Sequence, residues 1–292
     1  MSIQAPAVAR RRLRLALRRL RETKGMTQGE VASKLEWSLS KVNRIEIGDV
    51  TVSNTDLQAL LRLFEVDDQN AIETLSGHCR SARQRGWWDE PAYRSLLRPT
   101  TIELMQFQSQ AATIFSFHSA IFPGVIQTRA YAEHVLAFWA GELSDEERAA
   151  RLDVRMKWRT HVFSQPRPPR HVLVVDESIV GREVGGPHVM IGQLRELLPS
   201  GHDPNIDVRV LPLRETAFLA AAAPFMLVEM GDGDAILYRE SYLSDELVDH
   251  PAVIKRYREV VEQVLDTALS VEASARLIEA CVAALVSSLD RR

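Results

Sequence analysis

The chain has 292 residues, of which 46% are hydrophobic and 26% charged, an ordinary composition for a folded protein that excludes wholesale disorder. No apolar run approaches the roughly 20 residues of a transmembrane helix, and no secretory signal is visible, so we expect a cytoplasmic protein. Its two cysteines, Cys79 and Cys281, exclude a disulfide framework and lack metal-ligand spacing, and we expect neither a metal nor a cofactor. The length favours two domains.

The net charge of −3 conceals an uneven distribution. Residues 1–48 contain eleven Lys and Arg but four Asp and Glu, so this segment has seven excess positive charges and the remainder ten excess negative ones. A basic N-terminal segment followed by an acidic remainder is typical of a nucleic-acid-binding module attached to a second domain. A solvated arginine face on a surface helix is the alternative, and charge alone does not separate the two.

The N-terminal segment has the pattern of short amphipathic helices. Residues 10–24 combine leucines at helical spacing with arginines on the other face, which predicts a helix that Gly25 ends. Thr27 and Glu30 have the spacing of a capping box and predict the start of a second helix. That helix is short, because Ser38 offers another N-cap a few residues later.

A third helix is predicted after Ser38, with Val42 and Ile45 facing inward and Gly48 at its end. Its outward face is polar and consists of Ser40, Lys41, Asn43 and Arg44. The buried side of a fourth helix consists of Leu57, Leu60, Leu61 and Phe64. Two short helices joined by a tight turn in a small bundle form a helix-turn-helix, whose second helix enters the major groove N-terminus first.

The polar face of the third helix has the chemistry that reads DNA. Short side chains at its start can approach base edges, and Arg44 can reach O6 and N7 of a guanine, which is worth roughly 1–3 kcal/mol of discrimination. Gln28, at the start of the preceding helix, can bond a backbone phosphate. The alternative is a four-helix bundle with no role in DNA binding.

Residues 8–72 resemble the Cro/Xre-type, lambda-repressor-like helix-turn-helix domain of phage repressors and bacterial regulators. The resemblance rests on capping, turn and core positions, namely Thr27, Gln28, Ala32, Leu35, Ser38, Val42, Arg44, Ile45, Glu46 and Gly48. It implies that phosphates are held by Gln28, Ser38 and Lys41. It also implies that bases are read by Ser40, Asn43 and Arg44, with Leu39 near a thymine methyl or a sugar. This chain has Glu36 where the usual turn has glycine, at a position that commonly needs a positive φ.

Residues 73–98 are polar and contain the adjacent Trp87 and Trp88, which would not be left in water. We therefore predict a connector that docks on the protein rather than a free linker. His78 and Cys79 are adjacent but have no partners at zinc-finger spacing, so we interpret them as incidental rather than as metal ligands.

Residues 99–287 predict an α+β domain with a small sheet and flanking helices. Helices are predicted over 103–112, 128–139, 145–162 and 188–198, and in two stripes after Pro251. Strands are predicted over 171–175 and 206–210, and in two runs that flank a hairpin turn at 231–233. The apolar run at 219–230 is interpreted as a core strand, with the lining of a pocket or a partner groove as the alternative.

Short stretches spread over this body carry a second resemblance. They are Gly86–Trp88, 122–128 (FPGVIQT), Tyr131-Ala132, Val175–Glu177, Val184–Gly186, Gln193-Leu194 and Val210–Pro212. In this order they are similar to the C-terminal domain of a large actinobacterial family of Xre-type regulators, which is described as antitoxin-like and of unknown function. Relatives tend to carry an Arg-Gln pair where this chain has Trp158-Arg159. The resemblance implies a transcription factor paired with a small protein from a neighbouring gene.

The chain has no nucleophile elbow, Walker loop, HExxH or dinucleotide motif, and Asp176 and Ser178 lack a positioned histidine, so we predict no catalytic residues and no enzymatic activity. The sequence predicts a transcriptional regulator that binds a double-stranded DNA operator as a homodimer, because one helix-turn-helix reads one half-site. The acidic body would dimerise or receive a signal. Two alternatives have the same N-terminal DNA-binding domain. One is an antitoxin-like protein that binds a small partner and autoregulates its operon, and the other is a small-molecule-responsive repressor.

Overall fold

The computed structural model describes residues 4–86, 88, 90–138, 140–198, 204–215, 223–231, 233–240 and 244–291. The chain divides into two compact units, Met1–Asp89 and Glu90–Arg292. The described part of the first is helical, whereas the second combines a six-stranded sheet with helices, and this confirms the predicted α+β class. Among the described residues, none of the helices has the length and apolar character that crossing a membrane requires.

The described helices of the first unit are α1 (Pro6–Thr23), α2 (Gln28–Lys34), α3 (Leu39–Ile47), α4 (Asn54–Leu63) and α5 (Gln69–Ser81). The predicted capping box is present at the start of α2, where Thr27 and Glu30 cap each other's backbone N–H groups. Ser38 caps α3, since its Oγ accepts a hydrogen bond from the backbone N–H three residues later. Gly25 and Gly48 adopt φ of 63° and 85°, the left-handed conformation that follows a helix end.

The core of the first unit gathers apolar residues from all five of these helices. Its buried members are Leu13, Leu17, Val31, Ala32, Val42, Ile45, Val52, Leu57, Leu60, Leu61, Phe64, Leu75 and Cys79. Helix α5 lies where the polar connector was predicted to begin, and it packs on α1 through this core. The signal for this helix was present in the sequence, because Ile72, Leu75 and Cys79 recur at helical spacing.

The second unit contains eight described helices and six described strands. The helices are α6 (Pro91–Arg94), α7 (Pro99–Gln108), α8 (Arg129–Ala137), α9 (Asp145–Phe163), α10 (Glu177–Val180), α11 (Pro187–Glu196), α12 (Pro251–Thr267) and α13 (Val271–Leu289). The strands are β1 (Thr113–His118), β2 (Arg170–Asp176), β3 (Ile206–Leu211), β4 (Phe225–Glu229), β5 (Ala235–Glu240) and β6 (Asp245–Val248). Their order is β3-β2-β1-β4-β5-β6. The pairs β3-β2 and β2-β1 are parallel, and the pairs β1-β4, β4-β5 and β5-β6 are antiparallel.

The sequence pattern did not assign β1, although this strand lies inside the sheet between β2 and β4. Both of its faces are buried, so it lacks the alternation that marks a half-exposed strand, and its polar residues Ser116 and His118 interrupt the apolar run that marks a strand buried on both faces. Strand β6 was also not predicted, because it is four residues long and half of them are acidic. The predicted hairpin is present as the antiparallel pair β4 and β5, and Asp232 of its turn lies outside the described residues.

Helices cover both faces of the sheet. On one face, α8, α11 and α13 pack on β2 and β3 through a cluster that includes Tyr131, Leu173, Leu194, Val208 and Ile278. On the same face, Trp158 Nε1 of α9 donates to Gln108 Oε1 of α7 at 2.9 Å, and Gln108 Nε2 contacts Met226 Sδ of β4 at 2.9 Å. The opposite face packs on α12 through a cluster that includes Phe115, Val174, Leu227, Ile254 and Val264.

The core interpretation of the apolar run at 219–230 holds for its described part. Phe225, Met226, Leu227 and Val228 form most of β4 and are buried. Residues 219–222 of this run lie outside the described residues.

The predicted docking of the connector rests on its two tryptophans. Trp88 is half-buried, and Trp87 lies outside the described residues. The docked connector over 73–98 therefore stays a prediction.

Candidate nucleic-acid interface

Helix α3 presents a mostly polar surface at its N-terminal end. Its exposed members are Ser38 at the cap, Leu39, Ser40, Asn43 and Arg44, and we refer to Leu39, Ser40, Asn43 and Arg44 as the reading face. This exposure follows from helical spacing, because Val42 and Ile45 on the other side are only 2% and 3% exposed. Leu39 is 55% exposed although it is apolar, which suits a contact with a thymine methyl or a sugar.

The turn between α2 and α3 contains Glu36 with φ of 55°. This confirms the expectation that the position takes the left-handed conformation, which glycine usually supplies. The turn closes through backbone bonds from Glu36 to Ser33 at 3.3 Å and from Trp37 to Ala32 at 2.8 Å. The chain therefore keeps the turn geometry at a cost of about 1 kcal/mol.

A buried carboxylate on α3 connects α1, α2 and α3. Glu46 is 8% exposed, and its two oxygens accept hydrogen bonds from Arg21 Nε at 2.5 Å and Nη2 at 3.0 Å. The hydrogen bond with Glu46 raises the pKa of Arg21, and the nearby charges of Glu46 and Glu22 act in the same direction. Arg21 also donates to the carbonyl oxygen of Met26 at 2.7 Å. This network fixes the two helices of the motif relative to each other.

In the sequence, Glu46 is one of the residues that resemble the helix-turn-helix family, and the pattern predicts no role for it. Its partner Arg21 is 25 residues away, so no local pattern reveals the pair. Arg14 adds a further contact to the same helix end, because its Nη1 donates to the Glu46 carbonyl oxygen at 3.4 Å. Part of the arginine content of α1 thus holds the motif together.

Gln28, which the resemblance assigns to a phosphate, is the first residue of α2 and is half-buried. Its Nε2 donates to Glu46 Oε2 at 2.9 Å. A carboxamide nitrogen has two N–H groups, so Gln28 can hold Glu46 with one and donate to a phosphate oxygen with the other. The structure therefore gives Gln28 a structural partner that the sequence did not reveal.

Lys41, also assigned to a phosphate, has partners within the first unit. Its Nζ lies 2.6 Å from Asp56 Oδ1 and 3.7 Å from the ring centroid of Trp37. Burial acts to raise the pKa of Asp56, but hydrogen bonds from Lys41 and Ser53 outweigh it and leave that pKa lowered. Lys41 can reach a phosphate only by sharing or leaving Asp56.

His78 and Cys79 have structural partners in this unit. Cys79 is fully buried, with its Sγ 3.2 Å from the carbonyl oxygen of Val52, and burial raises the pKa of its thiol. His78 Nδ1 lies 2.7 Å from Gln4 Oε1. Throughout the part of the chain that the structure describes, no group of three or more His, Cys, Asp and Glu is arranged to hold a metal ion.

The acidic and hydroxyl groups noted near residue 176 have a local structural role. Asp176 caps the short helix α10 by accepting from the backbone N–H of Ser178 at 2.9 Å. Glu177 Oε2 accepts from the backbone N–H of Leu213 at 2.8 Å. The Ser178 hydroxyl also donates to Asp176, so all three side chains of this segment have local structural partners.

A buried histidine on β2 has a partner on the neighbouring strand. His171 Nε2 lies 2.8 Å from Ser116 Oγ of β1, and both residues are at most 1% exposed. Burial lowers the pKa of His171 to about 4, which keeps the ring neutral. The pair is enclosed between the sheet and its covering helices, so we assign it to the core.

Family comparisons divide the chain in the same two parts. A profile described as "Helix-turn-helix domain" matches residues 12–75, and one described as "Domain of unknown function (DUF5753)" matches residues 101–280. Searches of the curated proteins and of the solved structures found no significant match. The helix-turn-helix domain indicates a DNA-binding regulator rather than an enzyme. Because the second profile covers more than half of the sequence, the chain belongs to the DUF5753 family and carries a helix-turn-helix domain at its N-terminus.

Proposed function

We propose that this protein is a sequence-specific transcriptional regulator of the Xre type, which binds a double-stranded DNA operator through residues 8–72. The observation that carries the proposal is the exposed reading face of α3, held in position by the buried pair of Arg21 and Glu46. A rigid helix with short polar side chains and one arginine at its exposed N-terminal end is the chemistry of major-groove readout.

Each residue of the interface has its own role in this proposal. Bases are read by Ser40, Asn43 and Arg44, and Leu39 contacts a thymine methyl or a sugar. Phosphates are held by Gln28, Ser38 and Lys41, which position the reading face without adding sequence information. The exposure of Ser38 and the second N–H of the Gln28 amide support two of these phosphate contacts.

We further infer that the protein acts as a homodimer in the cytoplasm, on the nucleoid. One helix-turn-helix reads a half-site, and a two-fold axis supplies the second. In this proposal residues 99–287 dimerise or receive a signal or partner, and residues 73–98 form a docked connector. Sedimentation of the full chain with and without an operator duplex measures this state directly, and a monomer on the operator would contradict it.

A second candidate, implied by the resemblance of the short C-terminal stretches, is an antitoxin-like protein from an actinobacterium that binds a small partner and autoregulates its operon. The excess of arginine over lysine, 31 to 5, is typical of a GC-rich coding bias and supports such a source. A small open reading frame beside the gene, whose product co-purifies with residues 99–287, would favour this candidate. A deep apolar pocket in the same domain would favour a small-molecule-responsive repressor instead.

The experiment for the primary proposal is a fluorescence-anisotropy titration of the full chain against DNA from its own upstream region. A scrambled duplex of the same composition is the control, and both are measured over a salt series. We expect tight, salt-sensitive binding that prefers the native duplex. Equal binding of the two duplexes at every salt concentration would contradict sequence-specific regulation from this region.

A further inference from the structure

Helix α9 carries two arginines on its buried side. Trp158 and Val162 of this side are only 7% and 1% exposed. Arg155 and Arg151 continue the same stripe toward the helix N-terminus, at spacings of three and four residues, and both are half-buried. Two like charges four residues apart on a helix repel each other, so the stripe places an unfavourable pair inside the protein.

A carboxylate of the sheet lies on the same side as this pair. Glu240 ends β5, and by the register of β4 and β5 its position shares a sheet face with Met226. Helix α9 is linked to this face through α7, by the contacts of Trp158 with Gln108 and of Gln108 with Met226. Burial raises the pKa of the Glu240 carboxyl, although the charges of the two arginines act in the opposite direction.

The guanidinium of Arg155 is held in a defined place by the segment before α8. Its Nη1 donates to Gln127 Oε1 at 2.9 Å. Gln127 is 1% exposed and is itself fixed, because its Nε2 donates to the carbonyl oxygen of Phe122 at 2.7 Å. The stem of Arg155 lies against Gly124, where a Cβ would be 3.5–3.6 Å from it. One of the five N–H donors of Arg155 is thus used to orient the group.

In the described part of the chain, the remaining donors of this pair have no carboxylate bonded to them, and Glu240 acts on Arg155 only as a more distant charge. Among the residues that the structure describes, neither Arg151 nor Arg155 has a carboxylate oxygen within 4.0 Å, and the Nε of Arg151 is buried without a hydrogen-bond partner. Charges inside proteins are normally paired. Arg21 of the first unit is paired in this way, since its Nε lies 2.5 Å from Glu46 Oε1. Asp245, the neighbour of Glu240 on β6, pairs with Arg98 at 3.4 Å instead.

We propose that Arg151 and Arg155, positioned by Gln127, bind a small molecule that carries an oxyanion group, either a carboxylate or a phosphate. Guanidinium groups bind such oxyanions through paired, charge-assisted hydrogen bonds. Glu240 disfavours a ligand with several negative charges and can accept a hydrogen bond from a donor group next to the anion. The site therefore suits a carboxylate, or a phosphate in its singly charged form, that lies next to a hydroxyl or amino group. That this ligand is the signal of the regulator rests on the proposed function, whereas its binding does not.

The test is isothermal titration calorimetry on the full chain with potassium phosphate and potassium acetate as probes, at an ionic strength held constant with potassium chloride. We expect saturable binding of at least one probe. Arg155→Gln and Arg151→Gln should each weaken it about tenfold or more, because hydrogen bonds between charged groups are the stronger class. Arg256→Gln is the matched control, since it removes an exposed arginine from α12 on the opposite face of the sheet and should leave binding unchanged.

A second pair of variants separates this site from the basic N-terminal unit. If Arg155→Gln does not fold, Arg155→Lys keeps the charge but loses the planar fork, and it should weaken binding in the same way. Binding that survives Arg155→Gln but is lost in Lys41→Ala would place the anion on the helix-turn-helix and overturn the proposal. Absence of saturable binding of both probes would overturn it as well.

The DNA titration on the same proteins keeps the two proposals distinguishable. If the Arg155→Gln variant binds the operator but has lost anion binding, the result supports both the regulator proposal and the anion site. Anion binding without operator preference in the wild type would remove the regulatory role and leave the anion site standing.

Discussion

The two units surround a half-buried arginine with different partners. In the first unit, Arg21 lies in a network in which Glu46 accepts two of its hydrogen bonds, and the result is a rigid pair of helices. In the second unit, Arg155 is oriented by the neutral side chain of Gln127 and has a second arginine one turn away. Because burying a charge is costly, the first arrangement is complete within the protein and serves structure, whereas the second is completed by a bound anion.

The two units also differ in how much of their structure the sequence predicts. Caps, turns and the polar face of α3 are local patterns, and they define both the fold and the proposed function of the first unit. The second unit is a sheet of distant strands, and its unusual charges become visible only when α9 is placed on that sheet.

The largest expected effect concerns the centre of the second unit. Phe117 of β1 is 1% exposed and contacts Phe225 with ring centroids 6.2 Å apart. Phe117→Ala should cost about 3–5 kcal/mol of unfolding free energy, because the sheet and α12 cannot collapse fully into the cavity. Urea denaturation with peptide-resolved hydrogen exchange measures this cost in β1, β2 and β4. Phe138→Ala, at a side chain that is 78% exposed, is the control, and an equal loss in both variants would argue against β1 as a central strand.

The next largest effect is the loss of unfolding free energy when the ion pair of Arg21 and Glu46 in the first unit is broken. Glu46→Gln removes the counter-charge of Arg21 with little change of shape, and it should cost about 3 kcal/mol. Glu22→Gln is a matched control, because Glu22 lies 3.6 Å from the same arginine but is 49% exposed, and its loss should be close to undetectable. The free energy of unfolding from urea curves compares the two. If both variants behave alike, the buried pair does not organise the motif.

A smaller, stabilising effect is expected at the turn of the motif. Glu36→Gly should raise the unfolding free energy by about 1 kcal/mol or less, because glycine adopts φ of 55° without steric cost although it loses more backbone entropy. The reverse change, Gly25→Ala, should be destabilising at a position with φ of 63° where nothing lies within 4 Å of the added Cβ. Thermal unfolding of both variants checks the opposite signs. A destabilised Glu36→Gly protein would contradict the strain in this turn.

The smallest stability effect concerns Lys41 and Asp56, which are partly exposed. The pKa of Asp56 is lowered in the folded state, so its contribution is present above its unfolded pKa and is lost as the pH falls through the folded value. Asp56→Asn should therefore cost at most about 1 kcal/mol at neutral pH and flatten the acid side of the stability profile.

The same variant has a second readout on DNA. Asp56→Asn removes a negative charge beside Lys41 and frees its ammonium, so it should strengthen binding to specific and random DNA alike. Weaker binding to both duplexes would show that Asp56 positions Lys41 for the phosphate.

Most of the first unit was predictable, because its signals are local. The capping box at Thr27 and the cap at Ser38 follow from residue type and spacing, whereas the positive φ of Glu36 follows from the resemblance to helix-turn-helix domains that have glycine there. The pairs of Arg21 with Glu46 and of Lys41 with Asp56 were not predictable, since they join helices whose relative placement no periodicity reveals.

In the second unit, hydrophobic periodicity and turn residues predicted strands β2 to β5 and the longer helices, but they did not predict the central strand β1. Strand β1 is buried on both faces but contains Thr113, Ser116 and His118, so its sequence shows neither alternation nor a continuous apolar run and does not distinguish a strand from a helix. Trp158-Arg159, a departure from the relatives, proves to serve packing: Trp158 is buried against Gln108, and Arg159 pairs with Glu196. The arginine pair of α9 was invisible as a site because Glu240 and Gln127 are distant in sequence.

The central claim is that α3 reads bases while its neighbours hold phosphates. The most direct measurement is the affinity of wild type, Arg44→Ala and Lys41→Ala for the native upstream duplex and a scrambled duplex over a salt series. Arg44→Ala should lose about 1–3 kcal/mol of preference for the native duplex. Lys41→Ala should weaken both duplexes equally and reduce the salt slope by about one. Equal losses on both duplexes in both variants would contradict the account.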